Sequence, residues 1–421
     1  MRILASAALA LTAYQEIARL LLRGAICVFC LLVPWTIAGS NVGWGLVLAG
    51  LVAFALCGGS VALPGHRSAL EVPLWIYFLA AILTSALGVA PAHSLGLLNL
   101  DFHKIWIYTL FSVALATELA PQAPACLAAG FAAASLVGIG QVVSAVAQRG
   151  LAGGLWFRAH CLVHPVTFGE QTCIAALGVV CFLARPEGTL KAPWQRRTAW
   201  LMLALTAAAL LLSQTRGAMV AFAAGLAAAS WFVPRLRKPV GLTLLAALLL
   251  IPVIGRNRYE KPFREELLGS GSQKVAQVRG EPDRLPLWSA ALSMGRDHFW
   301  TGVGPHNFRA VFPHYYTATF KDGTNSWGSA HNLYLQQFAE RGAVGLCALL
   351  LLLGAFWLRS WQRAKQQADA WNLWALGTST AFVVMNVTEV AFQTELLWML
   401  VFFVWVRAEA GHREAMVRLP L

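Results

Sequence analysis

Residues 198–233 read TAWLMLALTAAALLLSQTRGAMVAFAAGLAAASWFV, and this stretch decides the fold class. Two apolar runs, 198–213 and 216–233, meet at the polar cluster Ser213–Gly217. A cluster of this kind is typical of a tight turn between two elements. Because the runs have almost no side chains suited to water, we predict two helices that cross a membrane and are joined by this turn.

The composition of the whole chain extends this interpretation. Hydrophobic residues make up 58% of the 421 residues and charged residues only 12%, whereas soluble domains average about 25% charged. Lipid must therefore be the solvent for much of the chain. The formal net charge of +13 is better explained by membrane topology than by nucleic-acid binding, because the basic residues fall in short connections between apolar runs.

Windows of about 20 apolar residues mark the other spans. We predict an all-α polytopic membrane protein with about twelve transmembrane helices and one large loop that contains short helices. The predicted spans are 18–38, 43–63, 72–90, 103–120, 124–147, 164–184, 198–213, 216–233, 239–255, 331–358, 371–389 and 394–408.

The distribution of cations orients these spans. One alternating set of connections holds most of them: Arg2, Arg19, Arg23, Arg67, Arg185, Lys191, Arg196, Arg197, Arg235, Arg237, Lys238, Arg359, Arg363, Lys365, Arg407, Arg413 and Arg418. The other set of short connections holds Lys104, Arg149, Arg158 and Arg216. By the positive-inside rule both termini face the cytoplasm. Merging the spans at Ser213–Gly217 would break this alternation.

The chain then divides into three parts. Residues 1–255 form transmembrane helices 1–9, residues 256–330 the large loop, and residues 331–421 helices 10–12 with a cytoplasmic C-terminus. The loop faces the periplasm if the protein lies in a bacterial inner membrane. Pro286–Gly295 has apolar residues at helical spacing, which predicts a short helix in the loop.

Arg216 is the first candidate for chemistry at the periplasmic surface. It opens the eighth span after Ser213, a possible N-cap. Unpaired N–H groups and the positive dipole end of the helix, together with a guanidinium, suit a phosphate group. The alternative is an interfacial anchor whose charge reaches the lipid headgroups.

Two further candidates flank the second half of the loop. Arg284 precedes the predicted short helix; the alternative is a solvated arginine paired with Asp283 or Glu281. His331 begins the tenth span, where the helix dipole disfavours a protonated ring and so favours a general base. The alternative is a polar residue that only marks the membrane surface.

Other chemistries find less support in the sequence. His160, His164, His306 and His314 are rival histidines on the same side, and the last two are either substrate contacts or surface residues. The acidic residues of the loop show no metal-ligand spacing, and there is no Walker motif. The loop has no cysteine, so a disulfide framework is not expected. We predict no metal and no cofactor.

Three segments together resemble the O-antigen ligase superfamily. His331–Gly342 matches the family pattern His-Asn-x-x-Leu followed by Gly. Arg284–Phe308 reads R-x-x-x-W-x-A-A-L and then G-V-G-x-x-N-F, which resembles the family's loop, although Trp300 stands where the pattern has proline. Ser213–Gly217 opening a span is similar as well. The three segments occur in the family's order.

The resemblance implies a GT-C-like glycosyltransferase without a metal. Its donor would be a glycan on undecaprenyl pyrophosphate, and its acceptor a sugar hydroxyl of lipid A–core. Arg216 and Arg284 would bind the pyrophosphate, and His331 would be the general base or position the acceptor. The remaining expected substrate contacts are Trp288, His306, His314 and Asn332.

Other functions stay open on the sequence. Relatives in the superfamily polymerise the glycan or transfer it to a protein serine. A transporter of lipid-linked glycans is a competing class, but it predicts ionisable groups at mid-span and a repeat. Glu170 is the main candidate for such a group, and it lies nearer the end of its span.

Overall fold

The computed structural model describes residues 2–61, 70–154, 156–185, 190–238, 240–242, 284–316 and 326–417. Within these residues every regular element is a helix, as predicted. Apart from residues 240–242, the ninth predicted span (239–255) lies outside the described residues, and so does the first part of the loop, 256–283.

Each of the other eleven predicted spans corresponds to a helix, and the structure has three shorter helices besides these. The α-helices are α1 (Arg2–Leu32), α2 (Ile37–Leu56), α3 (Glu71–Ala86), α4 (Pro91–Gly96), α5 (Asn99–Thr117), α6 (Ala123–Gly154), α7 (Pro165–Ala184), α8 (Pro193–Leu212), α9 (Arg216–Phe232), α10 (Arg284–Asp297), α11 (Phe308–Tyr315), α12 (Leu333–Gln366), α13 (Ala370–Met385) and α14 (Glu395–Val417). The short helix predicted at Pro286–Gly295 is confirmed as the body of α10.

Several of these helices have the length and composition of a membrane span. Within the described residues α2, α6, α7 and α12 are long and apolar enough to cross a bilayer. α3 and α9 are apolar but shorter, at 16 and 17 residues. The total of twelve spans and the side of the membrane on which each connection lies stay predictions.

The predicted turn between the seventh and eighth windows is confirmed. α8 ends at Leu212 and α9 begins at Arg216. Gln214 has φ 54°, a left-handed conformation that reverses the chain and that ordinary residues adopt at some cost.

The core of the bundle is formed by α14 with α5, α7 and α13 around it. Every residue from Leu396 to Val406 is at most 4% exposed, as expected for a helix covered on all sides. α13 and α9 approach closely because Gly377 faces Gly225, and neither glycine has a side chain to keep the backbones apart. Small residues at a helix crossing are a common packing device in membranes.

The tenth predicted span is not a continuous helix, because α12 breaks at Gly342, where φ is 60° and ψ is −160°. The stretch 299–304 lies in this break. Its carbonyls accept hydrogen bonds from the amides of residues 343–344 at 2.7 and 3.2 Å, and its amides donate to the carbonyls of residues 339–340 at 2.9 and 2.8 Å. The loop is thereby joined to the first turns of α12, which begin beside His331.

Trp300 does not disturb the turn in which the family pattern has proline. Its carbonyl accepts the hydrogen bond from Val344, while its indole is 69% exposed. The turn is closed by the Gly302 amide, which donates to the His298 carbonyl at 2.8 Å. Backbone groups make this turn, so its geometry does not depend on a proline ring.

Candidate functional site

Glu389 joins two of the predicted site residues. One carboxylate oxygen accepts a hydrogen bond from the Arg284 guanidinium at 2.7 Å, and the other lies 3.1 Å from Nδ1 of His331. Arg284 also donates to the carbonyl of Thr388. The side chain of Glu389 is 13% exposed and those of Arg284 and His331 are 39% and 27% exposed. The group is therefore shielded from bulk water but still open to a ligand.

The carboxylate defines which ring nitrogen of His331 can accept a proton. An ionised carboxylate is only an acceptor, so Nδ1 of His331 must be the donor in this contact. In the neutral ring Nε2 is then the nitrogen without a proton, which is the state that a general base requires. Glu389 thus fixes the tautomer and direction of His331, as the acid does in other acid–histidine pairs.

Backbone hydrogen bonds join the two segments that carry Glu389 and His331. The amide of Leu333, the first residue of α12, donates to the carbonyls of Asn386 and Glu389 at 2.9 and 3.0 Å. Asn332 is the N-cap of α12, and its side chain accepts from the Leu335 amide at 3.1 Å. The structure therefore gives Asn332, expected to bind substrate, a helix-capping role that positions its neighbour His331.

His331 itself has an unusual backbone. Its φ is 47°, and a non-glycine residue in this region costs about 1–3 kcal/mol. The amide of His331 donates to the Ser329 hydroxyl at 3.0 Å, and its ring lies 6.3 Å from the ring of Trp327, centroid to centroid. Such strain is concentrated at functional sites, where the surrounding structure compensates for it.

Arg216 reaches the same end of the bundle on the turn between α8 and α9. A methyl group on Gly217 would collide with the Thr388 hydroxyl, so the start of α9 packs directly against the turn that carries Glu389. Thr215, at the N-cap, makes no capping hydrogen bond with its side chain. The first amides of α9 therefore lack a side-chain cap and are suited to an anion.

The turn that carries Arg216 is held by Arg158. The guanidinium of Arg158 donates to the Ser213 carbonyl at 2.9 Å and to the Thr215 hydroxyl at 3.1 Å. The same hydroxyl donates to the Pro165 carbonyl at 3.2 Å. This connects the turn to the first residue of α7.

A cavity of about 150 Å³ lies beside His331 and Glu389. It is walled by the first turns of α7 and by residues on either side of the site. Its lining residues are His164, Val166, Thr167, Glu170, Ser329, His331, Glu389, Val390 and Thr394. The rival His164 thus lines the cavity, and its Nδ1 accepts from the Val166 amide at 3.3 Å as the N-cap of α7.

Three other predicted contacts are not drawn into this group. His314 is exposed, and its Nδ1 lies 3.2 Å from the Val311 carbonyl of its own helix. Trp288 packs in the apolar core of the loop, and its Nε1 is buried without a partner among the described residues. His306 belongs to a separate polar cluster.

That separate cluster centres on the buried ion pair of Arg341 and Asp101, which are 2.7 Å apart. Lys104 lies 3.4 Å from the same aspartate. Burial lowers the pKa of His306, and the cations Arg341 and Lys104 lower it further against the opposing effect of Asp101. These surroundings favour the neutral form of His306. His306 therefore belongs to this cluster and not to the group formed by His331, Glu389 and Arg284.

Glu389 was not predicted from the sequence. It is the last residue of the window 371–389 and the only acid in it. An acid at the end of a predicted span, on the same side as His331, was the available signal. Its pairing with a residue 58 positions earlier depends on how α12 and α13 pack.

A comparison with models of known protein families matches part of the chain. Residues 201–350 match the family model described as O-antigen ligase, whose members are glycosyltransferase-like enzymes. No curated protein matches the chain. The matched residues include Arg216, Arg284 and His331, whereas Glu389 lies beyond them. This match covers about a third of the chain and, together with the three motifs that carry the resemblance, supports the O-antigen ligase superfamily.

Proposed function

We propose that the protein ligates O-antigen from undecaprenyl pyrophosphate to a sugar hydroxyl of lipid A–core, at the periplasmic face of the bacterial inner membrane. The observation that carries this proposal is the array of Arg284, Glu389 and His331. It combines a cation for an anionic leaving group with an oriented base for a hydroxyl. A ligase of this kind needs both in one site.

The reaction would be a single displacement at the anomeric carbon of the donor sugar. The acceptor oxygen forms the new bond to that carbon while the bond from the carbon to the phosphate oxygen breaks. Nε2 of His331 takes the hydroxyl proton, and undecaprenyl pyrophosphate leaves with the bonding electrons. An α-linked donor then gives a β-linked product.

Arg284 and Arg216 would stabilise the departing pyrophosphate. A guanidinium has five N–H donors, and Arg284 uses one for Glu389 and one for Thr388. The remaining donors are available to phosphate oxygens. The unpaired amides at the start of α9 add to the site beside Arg216.

Membrane topology supports the periplasmic side. Arg216, Arg284, His331 and Glu389 all lie on connections that the positive-inside rule assigns to the periplasm. Contacts between these connections bring them to one end of the bundle. At the other end Arg363 lies over Trp405 and Arg407 over Trp371, which fits the cation-rich cytoplasmic side.

Transfer in vitro tests the proposal and separates it from its neighbours in the superfamily. Purified protein in detergent would be given an undecaprenyl-pyrophosphate glycan with lipid A–core, with a pilin, or with no acceptor. We expect product with lipid A–core only, at an unchanged rate in EDTA.

Variants of two site residues provide the control for this transfer assay. His331→Ala and Arg284→Ala should each lose transfer by about 10²-fold or more while eluting as folded protein. Polymer in the reaction without acceptor would instead indicate a polymerase, and glycosylated pilin a protein ligase. Near-normal ligation by His331→Ala would refute the assignment of the base.

A further inference from the structure

The cavity beside His331 contains a carboxylate that the proposed reaction does not use. Glu170 lies on α7 and faces the cavity together with His331 and Glu389. It is 2% exposed, and its Oε1 is buried without a hydrogen-bond partner among the described residues.

Among the described residues no cation is paired with this carboxylate alone. Glu170 interacts electrostatically with Glu389, which repels it, and with Arg284, which attracts it. Arg284 is already paired with Glu389 at 2.7 Å. A buried acid without its own partner is destabilising, and ionisable groups inside membrane proteins are typical of functional sites.

The chemistry of the cavity favours a hydroxyl over a phosphate. Among the described residues, the lining of the cavity holds two carboxylates, Glu170 and Glu389, and no arginine or lysine, so an anion is disfavoured there. Arg284 lies outside this lining. A carboxylate accepts hydrogen bonds, which sugar hydroxyls donate. Thr167, Ser329 and Thr394 add hydroxyl groups to the lining.

The size of the cavity fits part of a sugar. Its volume is about 150 Å³. Pockets that enclose a drug-sized ligand are larger, at roughly 300–1,000 Å³. The cavity therefore suits the hydroxyl-bearing edge of one sugar ring and not a lipid or an oligosaccharide.

We propose that this cavity is the acceptor subsite, and that Glu170 accepts a hydrogen bond from a hydroxyl of the acceptor sugar so that the attacking hydroxyl faces His331. This inference rests on the proposed function and names the substrate of that part of the site. The neighbouring residue Gly169 packs against Ser213 and Thr215. The acceptor subsite thus adjoins the turn that carries Arg216, where the pyrophosphate would bind.

Acceptor binding in the absence of turnover tests this assignment. Core oligosaccharide released from lipid A would be titrated into the full-length protein by calorimetry, with undecaprenyl pyrophosphate present and no donor glycan. We expect Glu170→Gln to weaken oligosaccharide binding by about 10–100-fold, the effect of losing a charged hydrogen-bond acceptor. The affinity for undecaprenyl pyrophosphate should be unchanged.

The matched control is Glu16→Gln, which removes one carboxylate from an exposed position on α1 and should bind oligosaccharide like the wild type. Thermal unfolding provides a second readout. If Glu170 serves the ligand, Glu170→Gln should have the same or a higher Tm, because the buried charge is removed. A lower Tm with wild-type oligosaccharide affinity would show a structural role and overturn the inference.

The outcomes for the two proposals are distinct. Wild-type protein that ligates normally, with Glu170→Gln matching it in acceptor Kd and acceptor KM, refutes the acceptor subsite alone. Wild-type protein that transfers to no acceptor, but binds oligosaccharide through Glu170, refutes the proposed ligase and leaves a sugar site. Absence of oligosaccharide binding by the wild type also overturns the inference.

Discussion

At the scale of single residues, the site combines what short motifs reveal with what only packing creates. Arg216, Arg284 and His331 could be predicted because each begins a helix or lies beside a recognisable motif. Glu389 could not be ranked above other acids, since its role depends on the turn that follows α13. That turn has no recognisable sequence motif. Its carbonyls accept hydrogen bonds from Leu333 and Arg284, and its carboxylate contacts His331.

Glu389→Gln should separate orientation of the base from binding of the donor. A glutamine amide cannot accept hydrogen bonds with both terminal atoms, so His331 or Arg284 loses its contact. We expect kcat to fall by about 10²-fold or more, by analogy with acids that orient a catalytic histidine, while the donor KM does not rise. Steady-state ligation rates measure both values.

The double variant Glu389→Gln/His331→Ala provides the control for this prediction. Residues that act as one unit have non-additive effects, so the double variant should be no slower than His331→Ala alone. If Glu389→Gln kept more than half of the wild-type kcat, Glu389 would have no role in orienting the base.

At the scale of helices, hydropathy predicted where most elements lie but not how they end. The windows matched eleven described helices because apolar length is a local property. The break in α12 was missed, although Glu340 and Arg341 directly before Gly342 interrupt the apolar run. The break exists because the backbone of 299–304 needs hydrogen-bond partners, and it finds them at residues 339–340 and 343–344.

Gly342→Ala should test this junction. A methyl group at this position would collide with the backbone of Trp300 and Thr301, and the φ and ψ values of Gly342 lie in a region that is almost restricted to glycine. We expect destabilisation of more than about 2 kcal/mol, seen as a lower apparent Tm in detergent and as loss of ligation.

Gly354→Ala is the matched control, because it lies on the same helix with nothing within 4 Å of an added methyl group. Its Tm should be unchanged or slightly higher, as alanine favours helix by about 1 kcal/mol over glycine. Equal Tm values for the two variants would show that the break at Gly342 does not depend on glycine.

At the scale of the whole molecule, the distribution of charge predicts an orientation, and the packing of helix ends gathers the site residues at one end of the bundle. The alternation of basic and neutral connections can be seen in the sequence alone. The structure adds that Arg284, His331 and Glu389 meet at one end of the bundle, whereas Arg363 and Arg407 stack on tryptophans in the segments that lead to the basic connections. Both observations fit the preference of cations for the cytoplasmic side of a bilayer.

Accessibility to a membrane-impermeant maleimide should show which end faces the periplasm. In a variant without native cysteines, His314→Cys would report the end with the site and Gln366→Cys the opposite end of α12; both positions are exposed. We expect His314→Cys to react in cells whose outer membrane alone is permeabilised, and Gln366→Cys to react only after lysis. His314→Cys should also keep ligation activity, because among the described residues the hydrogen bond of His314 is to Val311 on its own helix. The reverse labelling pattern would place the site in the cytoplasm, where a periplasmic acceptor could not reach His331.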